Sequence, residues 1–386
     1  MKIAIVIYHF SLSKGGVERA ASNHVRELLR RGHEVHLFAH RFDPDDLAGK
    51  ITYHRVPATT FHSSFKHLSF ASNVKKMLAA EKMDIIHSFS RTYSQDVYRI
   101  GGGAHIEYLR HLGEEASGPL RRLWTRLNPK EAAILRLEKK GFAEGASKII
   151  TSVSHRCKEE VIRHFNVSPD RIRVIHNGVD LEYFHPSHRE TEAKRLREAF
   201  GFRAEDILIL FCGTGFRRKG LGSAIEAVAS LPPSANVRLL VLGEGGVSAY
   251  RTMARRFKLA EKIFFLGVRK NVRDFYAGCD ILIHPTLYDP FPNVCLEAMA
   301  CGCPVITTAV AGVSEIIANG VDSFIVENGR DIGGIVKALK ELMDGERRRE
   351  MGRRARATAE RYSVQRNVDE NMKIYEEIRR MKGVGQ

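Results

Sequence analysis

The sequence predicts an α/β protein in two successive halves, each a sheet of parallel strands with crossing helices. Three observations lead there. Short apolar, β-rich runs alternate with amphipathic helical stretches, the pattern of parallel strands joined by crossover helices. The pattern restarts at the apolar run Ile207–Cys212. A length of 386 residues accommodates two or three domains of ordinary size.

The first strand is expected at Ile3–Tyr8. Gly15-Gly16 follow, then a helix whose Val17, Ala21, Val25 and Leu28 share one face. Gly32 ends that helix just after Arg30 and Arg31, cations suited to a helix C-terminus. Further strands are expected at Val35–Ala39, Asp84–His87, Val97–Ile100, Lys148–Val153 and Arg173–His176. In the second half, Ile207–Cys212 runs into Gly213-Thr214-Gly215, and a helix follows from about Leu221 to Ser230. Val237–Leu242, Ile263–Leu266, Ile281–His284, Pro304–Thr308 and Phe324–Val326 complete the strands. The turn-rich stretch from Asn177 to Pro186 begins a hinge. The expected domains are therefore 1–184 and 185–363, with residues 364–386 crossing back onto the first through the charged helix Val364–Met381.

Composition bounds the function. Hydrophobic residues at 44% and charged residues at 27% exclude a disordered or fibrous chain. No run approaches the roughly 18 apolar residues of a membrane-spanning helix. The N-terminal run reads as a strand and not as a signal peptide, since no small-residue cleavage site follows it. Six cysteines show neither zinc-finger spacing nor a disulfide framework, which implies a reducing cytoplasm. The net charge of +16 admits nucleic acid, an anionic membrane or phosphorylated substrates as partners. The basic residues are spread over both halves without a compact, aromatic-interleaved motif, which weighs against nucleic acid.

Two stretches carry chemistry. In Gly213-Thr214-Gly215-Phe216-Arg217-Arg218-Lys219-Gly220, glycines after a strand let backbone N–H groups approach an anion, and three cations sit at a helix start. Arg offers a planar fork and Lys a point charge to phosphate oxygens; the alternative is a solvated basic turn. The spacing is not that of a Walker loop. Further on, Tyr288-Asp289-Pro290-Phe291-Pro292-Asn293-Val294-Cys295-Leu296-Glu297 sets one carboxylate on a loop and a second inside the following helix. A carboxylate accepts two hydrogen bonds from vicinal hydroxyls of a sugar or ribose, and the helix start offers free N–H groups. The alternative makes Asp289 a turn residue and Glu297 a structural carboxylate.

The spacing Asp289 to Glu297, continued by Ala298-Met299-Ala300-Cys301-Gly302-Cys303-Pro304, resembles the Glu-x₇-Glu signature of retaining glycosyltransferases of family 4, with Asp in the first position. Gly213–Gly220 resembles the phosphate loop of that family. Gly15-Gly16-Val17-Glu18-Arg19 resembles its glycine loop, and Asn177-Gly178-Val179-Asp180 its interdomain motif. The motifs stand in family order, and Arg218-Lys219-Gly220 with Asp96-Val97-Tyr98 are most similar to the lipopolysaccharide-core branch. The resemblance implies the GT-B fold: two Rossmann-like domains facing across a cleft, the first for the acceptor and the second for a nucleotide-sugar, UDP-hexose by branch.

Residue by residue, the resemblance implies that Arg218 and Lys219 neutralise the donor diphosphate. It implies that Glu297 binds ribose hydroxyls and that Asp289 contacts the transferred sugar. Backbone at Gly15, Gly16, Gly213 and Thr214, and amides near Phe291, Asn293 and Val294, would hold phosphate and sugar. His105, after the strand and turn Ile100-Gly101-Gly102-Gly103, occupies the position whose imidazole meets the donor sugar. No metal and no separate cofactor are expected. Thr214 replaces a common Arg, and Pro292 replaces a common Gly and so removes one donor. Two rivals remain: an epimerase of the same fold and a nucleic-acid-binding protein.

A further stretch bears on location. Leu120, Leu123, Trp124 and Leu127 fall on one helical face, with Arg121, Arg122 and Arg126 opposite. A basic helix with Trp among its apolar residues suits an anionic membrane surface, so Leu120, Arg121, Arg122, Trp124 and Arg126 are candidate membrane-contact residues on the inner face of the plasma membrane. A helix burying Trp124 in the core is the alternative. Asn128, Pro129 and Glu131 then start another helix as cap, first and third residues.

Overall fold

A computed structural model describes residues 1–11, 15–43, 47, 49–59, 61, 63–115 and 128–383. The chain divides into two compact units: Met1–Gly178 with Val364–Gln386, and Val179–Ser363. The contact boundary thus falls at Gly178, ahead of the expected 184. Phe184 packs on Tyr276 with ring centroids 5.9 Å apart, and Arg356 binds the carbonyls of Leu181 and Phe184, so both belong to the second unit.

In the first unit the elements run β1 (Lys2–Phe10), α1 (Gly16–Arg30), β2 (Glu34–Phe42), β3 (Thr52–Arg55), α2 (Ser63–Ala79), β4 (Ile85–Ser88), β5 (Gln95–Ile100), α3 (His105–Glu115), α4 (Pro129–Phe142), β6 (Ser147–Ser152), α5 (His155–Phe165) and β7 (Ile172–Val174). The seven strands form one parallel sheet in the order β3-β2-β1-β4-β5-β6-β7. The centre of β1 is buried on both faces, as its unbroken apolar run requires when helices cover a parallel sheet on each side. The edge strand β3 has no apolar run, and it forms because β2 offers it a ladder. Asn128 caps α4 by accepting from the Lys130 amide at 3.0 Å.

In the second unit they run α6 (Arg189–Phe200), β8 (Ile207–Cys212), α7 (Leu221–Ala229), β9 (Val237–Leu242), α8 (Ser248–Arg256), β10 (Ile263–Gly267), α9 (Val272–Gly278), β11 (Ile281–His284), α10 (Asn293–Ala300), β12 (Val305–Thr308), β13 (Phe324–Val326), α11 (Ile332–Met343) and α12 (Gly345–Glu360). The sheet order is β10-β9-β8-β11-β12-β13, again parallel. In both sheets the strand order reverses beside the first strand of the unit, between β1 and β4 and between β8 and β11. Crevices at such switch points, at the carboxyl ends of strands, are where open α/β sheets bind ligands.

The last helix, α13 (Val364–Met381), packs on the first unit, as expected. Its Tyr375 is fully buried, and the phenol oxygen lies 2.8 Å from His24 Nε2 and 2.6 Å from His87 Nδ1. The hydroxyl donates to one imidazole and accepts from the other. Beyond the helix, Lys382 pairs with Asp96 at 2.7 Å, and Arg31, the residue that ends α1, pairs with Asp369 at 2.7 Å. No helix among the described residues is long and apolar enough to cross a membrane. The candidate membrane residues Leu120, Arg121, Arg122, Trp124 and Arg126 lie outside the described residues.

Tyr375→Phe strands two buried imidazole nitrogens, and each costs about 1–3 kcal/mol. The variant is expected to melt several degrees below the parent, read by circular dichroism; an unchanged Tm would show that α13 docks without these bonds. A pH dependence follows from the same group. Burial, then Arg99 and Arg31, hold His24 down to about 3, and burial holds His87 well below its ordinary 6.5. Both stay neutral in the fold, while the unfolded chain binds their protons, so stability falls as pH drops from about 6.5 towards 3. The urea midpoint should decline between about pH 7 and pH 5, and a flat profile over that interval would contradict it.

Candidate active site at the switch point of the second sheet

The site begins with an apolar strand and its turn. All six residues of β8 are buried. The chain then turns through Gly213–Gly220 into α7, whose first residue Leu221 is fully buried. Gly220 has φ +79°, and a Cβ there would lie 1.9 Å from the Pro285 carbonyl oxygen. Gly243 has φ +121°, and a Cβ there would lie 1.8 Å from the Gly213 carbonyl oxygen. Backbone therefore packs on backbone: Gly220 brings the loop after β8 against the loop after β11, and Gly243 brings the loop after β9 against the loop after β8.

Hydrogen bonds hold the two loops together. The Leu287 amide donates to the Arg218 carbonyl at 2.9 Å, and the Thr286 hydroxyl donates to the same oxygen at 3.0 Å. The Arg218 guanidinium donates back to the Tyr288 carbonyl at 2.7 Å. This clamp sets the Lys219 ammonium against Asp289 Oδ2, with Arg218 3.9 Å from the same oxygen and His284 Nε2 3.4 Å from it. Lys219, Asp289 and His284 are all buried. Burial opposes charge on Asp289, but Lys219, the His284 hydrogen bond and Arg218 outweigh it and hold the carboxyl far below the usual range. Burial and Lys219 hold His284 down to about 4, so the imidazole beneath Asp289 is neutral.

Glu297 is buried in α10, one element beyond. Its helix, α10, begins four residues after Asp289, so the loop carboxylate and the helix carboxylate are carried by one continuous segment. Phe291 is buried ahead of α10, and Asn293 and Val294 open its first turn. Thr214 is exposed on the glycine turn. The structure thus brings together Gly213, Thr214, Arg218, Lys219, Asp289, Phe291, Asn293, Val294 and Glu297 on two adjoining loops and a helix start. Cys301 and Cys303 are buried with Cys295, as small core residues.

Gly15, Gly16 and His105 belong to the first unit. Gly15 is the N-cap of α1 and Gly16 its first residue. His105 opens α3 and is buried. Its amide donates to Glu138 at 2.9 Å, and its Nε2 lies 2.5 Å from Glu131 Oε2. Arg91 pairs with the same Glu138 at 2.7 Å. Burial and Arg91 press the imidazole below its ordinary value against the pull of both glutamates. The cap sequence of α4 is thus also the anchor of His105.

Sequence reasoning missed His284, Thr286 and Tyr288. The signal for His284 was its place at the end of the wholly apolar run Ile281-Leu282-Ile283: a polar residue closing a buried strand faces the site that strand builds. Thr286 and Tyr288 left no signal, since each acts through a bond to main-chain oxygen or by lending its own carbonyl.

Residues 192–358 match the family "Glycosyl transferases group 1", and residues 14–183 match "Glycosyltransferase Family 4". The chain belongs to the family 4 glycosyltransferases. This glycosyltransferase is 26% identical over 325 residues to the lipopolysaccharide glucosyltransferase WaaG of Escherichia coli K12, covering 83% of each chain. It is 25% identical over 394 residues to the N-acetyl-alpha-D-glucosaminyl L-malate synthase of Bacillus anthracis, covering 98% of each. A crystal structure of WaaG superposes with a TM-score of 0.82 at 23% identity, covering 97% of this chain and 99% of that one. Anabaena HepE in complex with UDP superposes at 0.73 and 19% identity, covering 98% and 100%. The glycosyltransferase has the GT-B architecture of two parallel-sheet, Rossmann-like domains.

The buried pair makes a coupled prediction. Lys219→Ala leaves Asp289 ionised and buried with Arg218 3.9 Å away, and is expected to cost about 3–5 kcal/mol of stability. Adding Asp289→Asn removes the stranded charge and should recover most of that loss. Guanidinium melts of the parent, both single variants and the double variant read the coupling; additive losses would show that the two groups do not act as a pair.

Proposed function

We propose that this glycosyltransferase moves a hexose from a nucleoside diphosphate sugar to a saccharide or glycolipid acceptor, with retention of configuration and without a metal ion. UDP-glucose is the favoured donor and lipopolysaccharide core the favoured acceptor class. The observation that carries the reading is the convergence of Arg218, Lys219 and Asp289 at the switch point of the second sheet, with Glu297 on the adjoining helix. UDP in the HepE complex and glucosyl transfer in the name of WaaG support the donor.

In the reaction the bond from anomeric carbon to diphosphate oxygen breaks. Negative charge grows on the leaving phosphate and positive charge on the sugar ring. Arg218 and Lys219 are preorganised cations for that phosphate, fixed by the clamp between their loop and Tyr288. A diphosphate beside Lys219 takes over part of its ammonium and frees Asp289 to accept hydrogen bonds from hydroxyls of the transferred sugar. Neutral His284 keeps that carboxylate oriented without cancelling its charge. Glu297 accepts from the ribose hydroxyls, and the amides opening α10 meet phosphate oxygens. The acceptor hydroxyl attacks from the face the diphosphate leaves, its proton passing to the departing phosphate. No protein nucleophile is required. The enzyme works in the cytoplasm, and the basic Trp124 segment is the part of the chain that meets an anionic inner membrane.

Thermal-shift titration with UDP, UDP-glucose, GDP and ADP tests the donor site. A ligand that binds only the folded state raises Tm in proportion to the logarithm of its concentration, and the uridine ligands should do so first. Arg218→Met should retain the fold and lower turnover by about 10²–10³. Absence of any nucleotide shift, together with salt-sensitive DNA binding, would refute the assignment; sugar epimerisation without transfer would move it to the epimerase rival.

A further inference from the structure

A cavity of about 440 Å³ opens in the second unit between the start of α6 and the first half of α12. Four arginines line it: Arg189 from α6, and Arg348, Arg349 and Arg353 from α12. Asp280, just ahead of β11, and Gly302, in the turn ahead of β12, belong to the same wall. The cavity therefore lies at the amino ends of these strands, whereas His284 and Asp289 stand at the carboxyl end of β11.

Two glycines shape the wall. Gly302 turns at φ +71°, and a Cβ on Gly352 would lie 2.3 Å from the Gly302 carbonyl oxygen. The backbone of α12 thus rests directly on the turn after α10. Arg349 and Arg353, one helical turn apart, share a face of α12 and enter the cavity from the same side.

Two of the guanidinium groups are fixed by main chain. Arg189 donates to the Cys279 carbonyl at 3.2 Å and to the Cys301 carbonyl at 3.5 Å. Arg348 donates to the Leu342 carbonyl at 2.6 Å and lies 3.6 Å from Asp280. Asp280 is already engaged, accepting from Arg197 at 3.0 Å and from the Leu208 amide at 2.8 Å. Among the described residues, no carboxylate pairs with Arg189 or Arg349. With Asp280 and Glu190 as its acids, the lining carries four guanidinium groups against two carboxylates. Excess cations held by backbone bind an anion with little rearrangement, and the planar guanidinium fork matches phosphate oxygens. The volume falls among pockets that enclose a whole small molecule, roughly 300–1,000 Å³, and exceeds the needs of a single ion.

We propose that Arg189, Arg348, Arg349 and Arg353 form a second anion site, for a phosphorylated metabolite of sugar-phosphate size. It shares no residue with the donor site and does not rest on the transferase reading.

Calorimetric titration of the whole protein at constant ionic strength tests the site, with UDP at saturation to fill the donor pocket. Glucose 6-phosphate should bind saturably, pyrophosphate should compete with it, and glucose should not bind. Arg349→Gln with Arg353→Gln should weaken glucose 6-phosphate by at least about tenfold, since two charge-assisted contacts are lost. Arg354→Gln removes a neighbouring cation outside the cavity and should bind glucose 6-phosphate as the parent does. UDP affinity and Tm should stay at parent values in both variants. Absence of saturable binding beside UDP, equal binding of glucose, or equal binding by the Arg349 and Arg353 double variant would overturn the site. Failure of UDP to bind the parent would count against the donor site alone, and Arg218→Met, titrated without UDP, would then read this cavity by itself.

Discussion

The contact between Lys219 and Asp289 is the constraint on which the second unit's site depends. An ammonium and a carboxylate are removed from water together, and each is tolerable there only because of the other. Their meeting requires the loop after β8 to lie directly on the loop after β11. That in turn requires Gly220, where any side chain would strike the Pro285 carbonyl. Arg218 and Thr286 then close the clamp through main-chain oxygens. The geometry suits phosphate chemistry, because the charges are placed by rigid backbone and need little rearrangement when a ligand arrives.

The first unit is organised around a different interior. Its sheet is finished by a helix from the other end of the chain, and the fit is polar as well as apolar. Tyr375 reaches between α1 and β4 to satisfy His24 and His87, while Val368, Ile374 and Ile378 fill the same core. Lys382 and Asp369 extend the attachment with ion pairs to Asp96 and Arg31. A buried hydrogen-bonded triad specifies one docking register, whereas apolar contact alone would tolerate several.

Most of the fold was legible because parallel strands buried on both faces leave unbroken apolar runs. Ile207–Cys212, Val237–Leu242, Ile281–His284 and Phe324–Val326 were delimited to the residue. The edge strand Thr52–Arg55 was missed, since an edge needs no such run. Among site residues, the glycine-cation turn and the spaced carboxylates were visible because backbone approach to an anion demands glycine and charge at close spacing. The partnership of Lys219 with Asp289 was not visible, and it changes how Lys219 is understood. The residue is part of the unit's stability as well as of its phosphate site, so the fold does not ignore its loss.

The sequence by itself determined the alternation of strands and helices, the two-sheet architecture and the motif residues, because periodicity, glycine and charge act over a few neighbouring positions. Only the tertiary structure decided which of those residues meet. It set Asp289 on Lys219 across 70 positions and seated Tyr375 on His24 across 351. Such contacts depend on strand order, and strand order is chosen by the packing of the whole sheet, which no local pattern records.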